Sequence, residues 1–308
     1  MTRVSIRRCP QIVAAGLLCG FLILDGRESA AQVSRVEHVV LLGIDGLSPE
    51  GVRLAATPVL DALIADGASS MRAVAVLPTS SSANWMSMLA GVVPRRHGVT
   101  SNNWRPTSRK RSRTGAEGAW AFPTIVAQLR RERPDSVIGV FHEWDGFGRL
   151  IEFEAATGVE DTEGPEAAVA AARKFFARRP LLTIVQLDHV DAAGHGSGWL
   201  SPDYLAAVER ADRLAGDLIA GLREAGLWDR TAIIVSSDHG GVKRGHGGSK
   251  RAEVEIPWVA AGAGIAKGRE IRQRVETIDT APTIAHLVGA RLHSAWVGRP
   301  VWDALAER

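Results

Sequence analysis

The chain has 308 residues, 45% of them hydrophobic, with 37 Lys and Arg against 34 Asp and Glu for a formal charge of +3. A balance this close to neutral singles out no partner class, and no specific nucleic-acid binding is expected. The two cysteines, Cys9 and Cys19, both fall in the first thirty residues, so the rest of the chain has neither a disulfide framework nor a thiolate metal site.

Arg3, Arg7 and Arg8 precede an apolar run over 12–24, and Ser29-Ala30-Ala31 offers small residues for cleavage. This pattern predicts a secretory signal over 1–31. Its apolar run is shorter than the roughly 20 residues that span a bilayer. No stable membrane anchor is expected once it is cleaved; left uncleaved, it would act as one. Gly16-Leu17-Leu18-Cys19 makes a poor lipoprotein box, because Leu18 is too large before the cysteine. The expected location is the periplasm or the exterior. Without residues 1–31, which carry four arginines, Asp25 and Glu28, the formal charge falls from +3 to +1. Residues 32–308 suffice for a single domain with a substantial core.

The run 36–44 (VEHVVLLGI) predicts a buried parallel strand ending at Asp45-Gly46. Thr57-Pro58 opens a helix, with Thr57 as cap, and Gly67 closes it. A strand is expected over 71–77 and a helix over 81–89, stopped by Gly91. Residues 101–120 form the longest loop. Its basic run 105–113 (RPTSRKRSR) reads as a solvated face or as a rim that attracts anions. Then come a helix over 123–131, a strand over 136–141, an Ala-rich helix over 163–178, a strand over 181–187 and a long amphipathic helix over 202–225. Strands over 231–235 and 256–261 and a helix over 280–288 complete the pattern. The alternation predicts an α/β fold, a mostly parallel sheet with helices on both faces.

In such a fold the C-terminal ends of strands converge on one crevice. Asp45, Asp191 with His195, Asp238 with His239, and His246 lie at or after such ends. Three carboxylates and three imidazoles supply enough oxygen and nitrogen ligands for two divalent metal ions. The hydroxyl-rich Thr79-Ser80-Ser81-Ser82 stands where a helix begins. Two metals beside an activated hydroxyl are machinery for phosphoryl transfer. His142, Glu143, Trp144 and Asp145 follow a strand and are candidates to line the crevice, with surface or core duty the alternative.

Five blocks occur in a telling order: Gly43-Ile44-Asp45-Gly46, the stretch 78–98, Asp191 to His195, Ser237-Asp238-His239-Gly240, and His246-Gly247. In these the chain resembles the alkaline phosphatase superfamily, in its nucleotide pyrophosphatase/phosphodiesterase branch, over about 36–289. The resemblance implies an alkaline-phosphatase-like three-layer α/β/α sandwich and a small phosphate-ester substrate. It implies one metal on Asp45, Asp238, His239 and the nucleophile's oxygen, and another on Asp191, His195 and His246. Zinc is the implied metal, and manganese is compatible. The family's nucleophile stands ten residues before the glycine of a turn that here reads Ala90-Gly91-Val92-Val93-Pro94, which selects Ser81. The family's Asn, three residues later, falls on Asn84, a donor for a phosphate oxygen. Asn102, Asn103 and Trp104 lie where relatives contact substrate, and Lys243 and Arg244 sit between two ligands where they could meet a phosphate. His97 matches a family turn and reads as structural.

The chain also departs from the family. Ser82 stands where nucleotide-cleaving relatives often place a base-stacking aromatic, and His246 follows His239 by only seven positions, so a common insertion is missing. Ser81-Ser82-Ala83-Asn84-Trp85 lacks the Pro and Arg of the sulfatase motif. A phosphomonoesterase would need an arginine clamp, which Arg95, Arg105 or Arg244 would have to supply. There is no room for a mutase cap domain. A non-catalytic metal-binding protein would be expected to have lost ligands, and here the set is complete.

Overall fold

The seven residues of β1 (His38–Ile44, HVVLLGI) are all buried, at the middle of an eight-stranded sheet. The computed structural model describes Met1, residues 36–106 and residues 122–307. The expected leader over 1–31, with both cysteines, and most of the basic run 105–113 lie outside the described residues.

The other strands are β2 (Ala68–Val74), β3 (Ile138–His142), β4 (Gly158–Asp161), β5 (Leu182–Leu187), β6 (Thr231–Ser236), β7 (Glu255–Gly262) and β8 (Arg269–Glu270). Their order is β4-β3-β5-β1-β6-β7-β2-β8. The run from β4 to β6 is parallel, β7 is antiparallel to both neighbours, and β8 is parallel to β2. Ile44 pairs with Leu187, and Gly43 with Ser236. That register brings Asp45, Asp188 and Asp238 out of the sheet at one end, in neighbouring strands.

Alternate β1 residues face opposite cores, as the two-residue period of a strand requires. Val39 and Leu41 pack with α3 (Ser81–Ala90), α5 (Ile125–Glu132) and α11 (Thr280–Leu287). Val40, Leu42 and Ile44 pack with α1 (Pro49–Leu54), α2 (Pro58–Asp66), α7 (Pro165–Phe175), α8 (His189–Ser197) and α9 (Pro202–Glu224). The three-layer α/β/α sandwich is therefore present. Single turns α4 (Pro94–His97), α6 (Asp145–Gly148) and α10 (Arg251–Val254) link these layers. No helix among the described residues is long and apolar enough to cross a membrane.

Three local features differ from expectation. β2 occupies Ala68–Val74 rather than 71–77, because pairing with β7 begins directly after Gly67, at Ala68 with Ala260. Thr57 occupies the N-cap position of α2 but makes no side-chain capping bond: its hydroxyl donates to the Val52 carbonyl (3.2 Å), while Asp212 of α9 accepts the N–H groups of Val59 and Leu60 at 3.1 and 2.7 Å. Helix α8 was not legible, since HVDAAGHGS has two glycines and little apolar periodicity. A distant residue caps it: Glu143 Oε2 accepts the N–H groups of Asp188 (2.6 Å) and His189 (3.1 Å).

Candidate active site

Asp45 leaves β1 fully buried, and the next residue, Gly46, has φ +69°. A Cβ at Gly46 would lie 2.9 Å from the Asp191 Cα, so the end of β1 and the first turn of α8 close against each other only over glycine. The Gly46 N–H donates to Asp238 Oδ1 (3.3 Å). Asp191 and His195, four apart, share one side of α8, with His195 Nε2 3.3 Å from Asp191 Oδ2. His246 arrives from the loop after β6, its Nε2 3.1 Å from His195 Nε2. Its ring stacks on His239 at 3.7 Å.

All three imidazoles are oriented by backbone carbonyls. Nδ1 of His195 meets the Arg244 carbonyl (3.0 Å), that of His239 the Gly240 carbonyl (2.9 Å), and that of His246 the Thr79 carbonyl (2.7 Å). A carbonyl only accepts, so each Nδ1 carries the proton and each Nε2 faces the crevice as a potential ligand. Burial lowers the pKa of His239, which leaves its Nε2 without a proton, 3.4 Å from Asp45 Oδ1 and 3.2 Å from Asp238 Oδ2. Those two oxygens and Asp191 Oδ1 are buried without a hydrogen-bond donor among the described residues. Acceptors gathered around acceptors call for a cation.

The electrostatics agree. Burial raises Asp45 well above the usual carboxylate range, and Asp238, Asp191 and Asp188 raise it further. Asp238 is pushed up to about 7 by burial and by Asp191, and Asp188 to about 7 by the same two causes. Burial also acts upward on Asp191, but the hydrogen bond from His195 and the nearby imidazoles win and lower it. That hydrogen bond lifts His195 to about 9, so a proton occupies the place between His195 and Asp191 that a cation would take. Ligand atoms of Asp45, Asp238 and His239 lie within 4.8 Å of one another, as do those of Asp191, His239 and His246. His239 thus stands between the two sets, and His195 joins the second through Asp191 and His246.

Ser81 opens α3 and is 4% exposed, with its Oγ 3.1 Å from His239 Nε2. Asn102 Nδ2 donates to the same Oγ at 3.4 Å. The Asn102 amide is held that way round because its Oδ1 accepts from Ser80 Oγ and the Ser82 N–H, both at 2.9 Å. Thr79 Oγ1 donates to the Gly248 carbonyl (2.8 Å) and accepts from the Gly247 N–H (2.9 Å). Thr79 and Ser80 therefore shape the loop, and Ser81 presents its hydroxyl to the ligand cluster.

Asn84 does not take the expected position. It is fully buried, and Nδ2 donates to the carbonyls of Val76 (3.0 Å), Pro78 (3.0 Å) and Ser80 (3.4 Å) while Oδ1 accepts from the Val76 N–H (2.8 Å). One turn into α3, its amide faces back onto the entering loop, and the side-chain donor beside Ser81 is Asn102. Asn84→Ala removes the partner of the Val76 N–H and carbonyl, while the Pro78 and Ser80 carbonyls keep backbone donors, and is expected to cost about 2 to 3 kcal/mol of stability, read by denaturant unfolding. A loss of activity with no loss of stability would contradict this placement.

Trp104 is half-buried against the core on the α3 side. Lys243 is exposed with φ +54°, and its carbonyl accepts the Trp199 N–H (2.7 Å). His97 bonds Ser87 Oγ (2.9 Å) and the Val99 N–H (3.1 Å), and burial lowers its pKa to about 4, a structural role as expected. His142 turns to the Trp144 carbonyl (3.0 Å). Sequence reading missed Trp85, whose Nε1 donates to Asp45 Oδ2 (2.8 Å), and Gln186, whose Nε2 reaches the same oxygen at 3.5 Å. Trp85 had a usable signal, since it lies four residues after Ser81 on the same helix face.

The model of the family described as "Type I phosphodiesterase / nucleotide pyrophosphatase" matches residues 39–246, which contain Asp45, Ser81, Asn102, Asp191, His195, Asp238, His239 and His246. An uncharacterised pyrophosphatase/phosphodiesterase of Schizosaccharomyces pombe is 24% identical over 215 residues, covering 66% of this chain and 44% of that protein. The chain spans less than half the length of the curated relatives it matches. Murine ectonucleotide pyrophosphatase/phosphodiesterase 5, solved in complex with AMP, superposes with a TM-score of 0.72 at 17% identity, over 88% of this chain and 100% of that one. A variant of the alkaline phosphatase PafA gives 0.73 at 12% identity, over 89% and 100%. At these identities the two structures share its fold.

Proposed function

Because the chain belongs to the type I phosphodiesterase/nucleotide pyrophosphatase family of the alkaline phosphatase superfamily, we propose that it is an exported hydrolase of phosphodiester or pyrophosphate bonds. It acts with two divalent cations through a phosphoryl-serine intermediate, in one catalytic domain over 32–308. The carrying observation is the Ser81 hydroxyl, 3.1 Å from His239 Nε2 at the edge of the unsatisfied carboxylates. Asp45, Asp238, His239 and the Ser81 oxygen would hold one cation, and Asp191, His195 and His246 the other. The mixed nitrogen and oxygen donors suit zinc and accommodate manganese. Bound there, the cations would supply Lewis-acid stabilisation of charge on the phosphoryl group and on the attacking and leaving oxygens.

Ser81 Oγ forms a bond to phosphorus as the bond to the leaving oxygen breaks in line, and the serine's proton ends on the departing oxygen. Water then attacks phosphorus, the bond to Oγ breaks, and Ser81 regains a proton. The N-terminal end of α3 presents its positive dipole to the phosphate. Asn102 Nδ2, already turned to Ser81, donates to a non-bridging oxygen as charge builds. Asn102→Ala is expected to lower kcat about 100-fold to 1,000-fold with little change in KM. An unchanged kcat would remove Asn102 from the chemistry.

The substrate is a small phosphate ester, a reading supported by the AMP complex of the murine neighbour. Ser82, 2% exposed, provides no stacking surface for a base. Export rests on the leader pattern over 1–31. A phosphomonoesterase is the second reading, with Arg105 as its candidate clamp: the guanidinium donates to the backbone carbonyl (3.1 Å) of Asn102, the residue whose amide meets Ser81 Oγ. Hydrolysis of bis(p-nitrophenyl) phosphate against p-nitrophenyl phosphate, with zinc or manganese added, separates the two. Preference for the diester supports the first reading, and preference for the monoester replaces it.

A further inference from the structure

Trp199 lies two residues past α8 and is 8% exposed. Its Nε1 donates to the Gly46 carbonyl (2.9 Å), and its backbone N–H to the Lys243 carbonyl (2.7 Å). The ring meets His195 edge-on at 5.4 Å and 82°, and His246 at 6.1 Å and 63°. A Cβ at Gly241 would lie 2.2 Å from the indole, so that side holds the ring in contact with backbone. The same Gly46 carbonyl accepts from Tyr204 Oη (2.9 Å), and the Gly46 N–H holds Asp238 Oδ1. One indole thus joins the turn that carries Asp45 and orients Asp238 to the two imidazoles of the other ligand set.

We propose that Trp199 is a positioning residue that sets the spacing of the two cation positions, and that the Asp191, His195 and His246 position depends on it for affinity. The inference rests on the two-cation reading. The physical reason is that the Arg244 and Thr79 carbonyls orient His195 and His246 from their own loops, whereas the indole ties both imidazoles to the turn that carries Asp45. His195 is on GHGS and His246 on GHGG. A side chain hydrogen-bonded to one set and packed on the other supplies that rigidity.

Zinc binding to the full-length protein, followed by equilibrium dialysis, tests this with Trp199→Phe, which keeps a ring and loses the N–H. The native protein is expected to bind two zinc ions. The variant is expected to keep the first at native affinity and to bind the second about 10-fold to 100-fold more weakly. The absorption spectrum of its cobalt form should report altered ligand geometry. If Trp199→Phe does not fold, 3-benzothienylalanine at position 199 keeps the bicyclic shape without the N–H and carries the same expectation. Two ions bound at native affinity by either variant, with only the melting temperature lowered, would overturn the proposal and leave Trp199 a packing residue. A native protein that binds fewer than two ions would overturn the two-cation reading itself, which is a distinguishable result.

Discussion

Ser81→Ala is expected to lower phosphodiester hydrolysis by about a thousand-fold or more, the scale for removing a nucleophile whose surrounding site stays intact. The change deletes one hydroxyl from a position 4% exposed at the first turn of α3, so folding should be nearly unaffected. The released Asn102 Nδ2 still has its amide held by Ser80 and the Ser82 N–H. Mass spectrometry of acid-quenched native enzyme should find phosphate on the peptide containing residues 79–84 and none in the variant. Because Ser80 and Ser82 flank Ser81, fragmentation must place the phosphate on Ser81. Phosphate on a neighbour, or full activity in Ser81→Ala, would move the nucleophile.

Removing the cations should end activity and reverse the pH dependence of stability. In the metal-free protein Asp238 and Asp188 titrate at about 7, against 3.8 ordinarily, and Asp45 is raised well above that value, in each case first by burial. A raised carboxyl gives stability that is complete below the unfolded pKa and is lost as pH rises through the folded one. His195, lifted to about 9 by Asp191, acts in the same sense, its contribution disappearing as pH rises through 9. His239 and His246 are lowered by burial and act oppositely, but their contribution is complete once pH is above the ordinary imidazole value of 6.5. Asp191, lowered from 3.8, is likewise fully ionised by then. Asp238 and Asp188 lose most of their contribution between pH 3.8 and about 7, so between pH 7 and 9 the chelated protein should melt at progressively lower temperature chiefly as His195 loses its proton. Cations favour the deprotonated ligands, so the zinc-loaded protein should show no such fall. Each cation held at 100 times its dissociation constant adds about 2.7 kcal/mol. Thermal melts of both forms at pH 7 and pH 9 check this, and parallel slopes would show that the His195–Asp191 pair holds no cation.

The candidate ligands were legible because their chemistry is local. Asp45, Asp191, Asp238, His195, His239 and His246 stand beside glycines or at the ends of apolar runs, and the sheet core needs such runs whatever surrounds them. Ser81 was selected by the resemblance, which sets the nucleophile ten residues before Gly91. The antiparallel direction of β7 was not, because a strand buried on both faces reads the same in either direction. Helix α8 was hidden for a related reason: its first N–H groups are capped by Glu143, 45 residues before Asp188. The roles of Asn84 and Asn102 show the limit most plainly. Both amides lie near Ser81 in sequence or space, and only the path of residues 76–80, which engages Asn84, and of 99–104, which turns Asn102 inward, decides which one faces the serine. Sequence by itself determined the residue types, their order and the strand ends that gather them. The tertiary structure decided which donors meet Asp45, that Asp188 joins the carboxylates, and that Trp199 spans both ligand sets. Hydrogen bonds and packing between segments 40 to 153 residues apart leave no periodicity for a linear reading to detect.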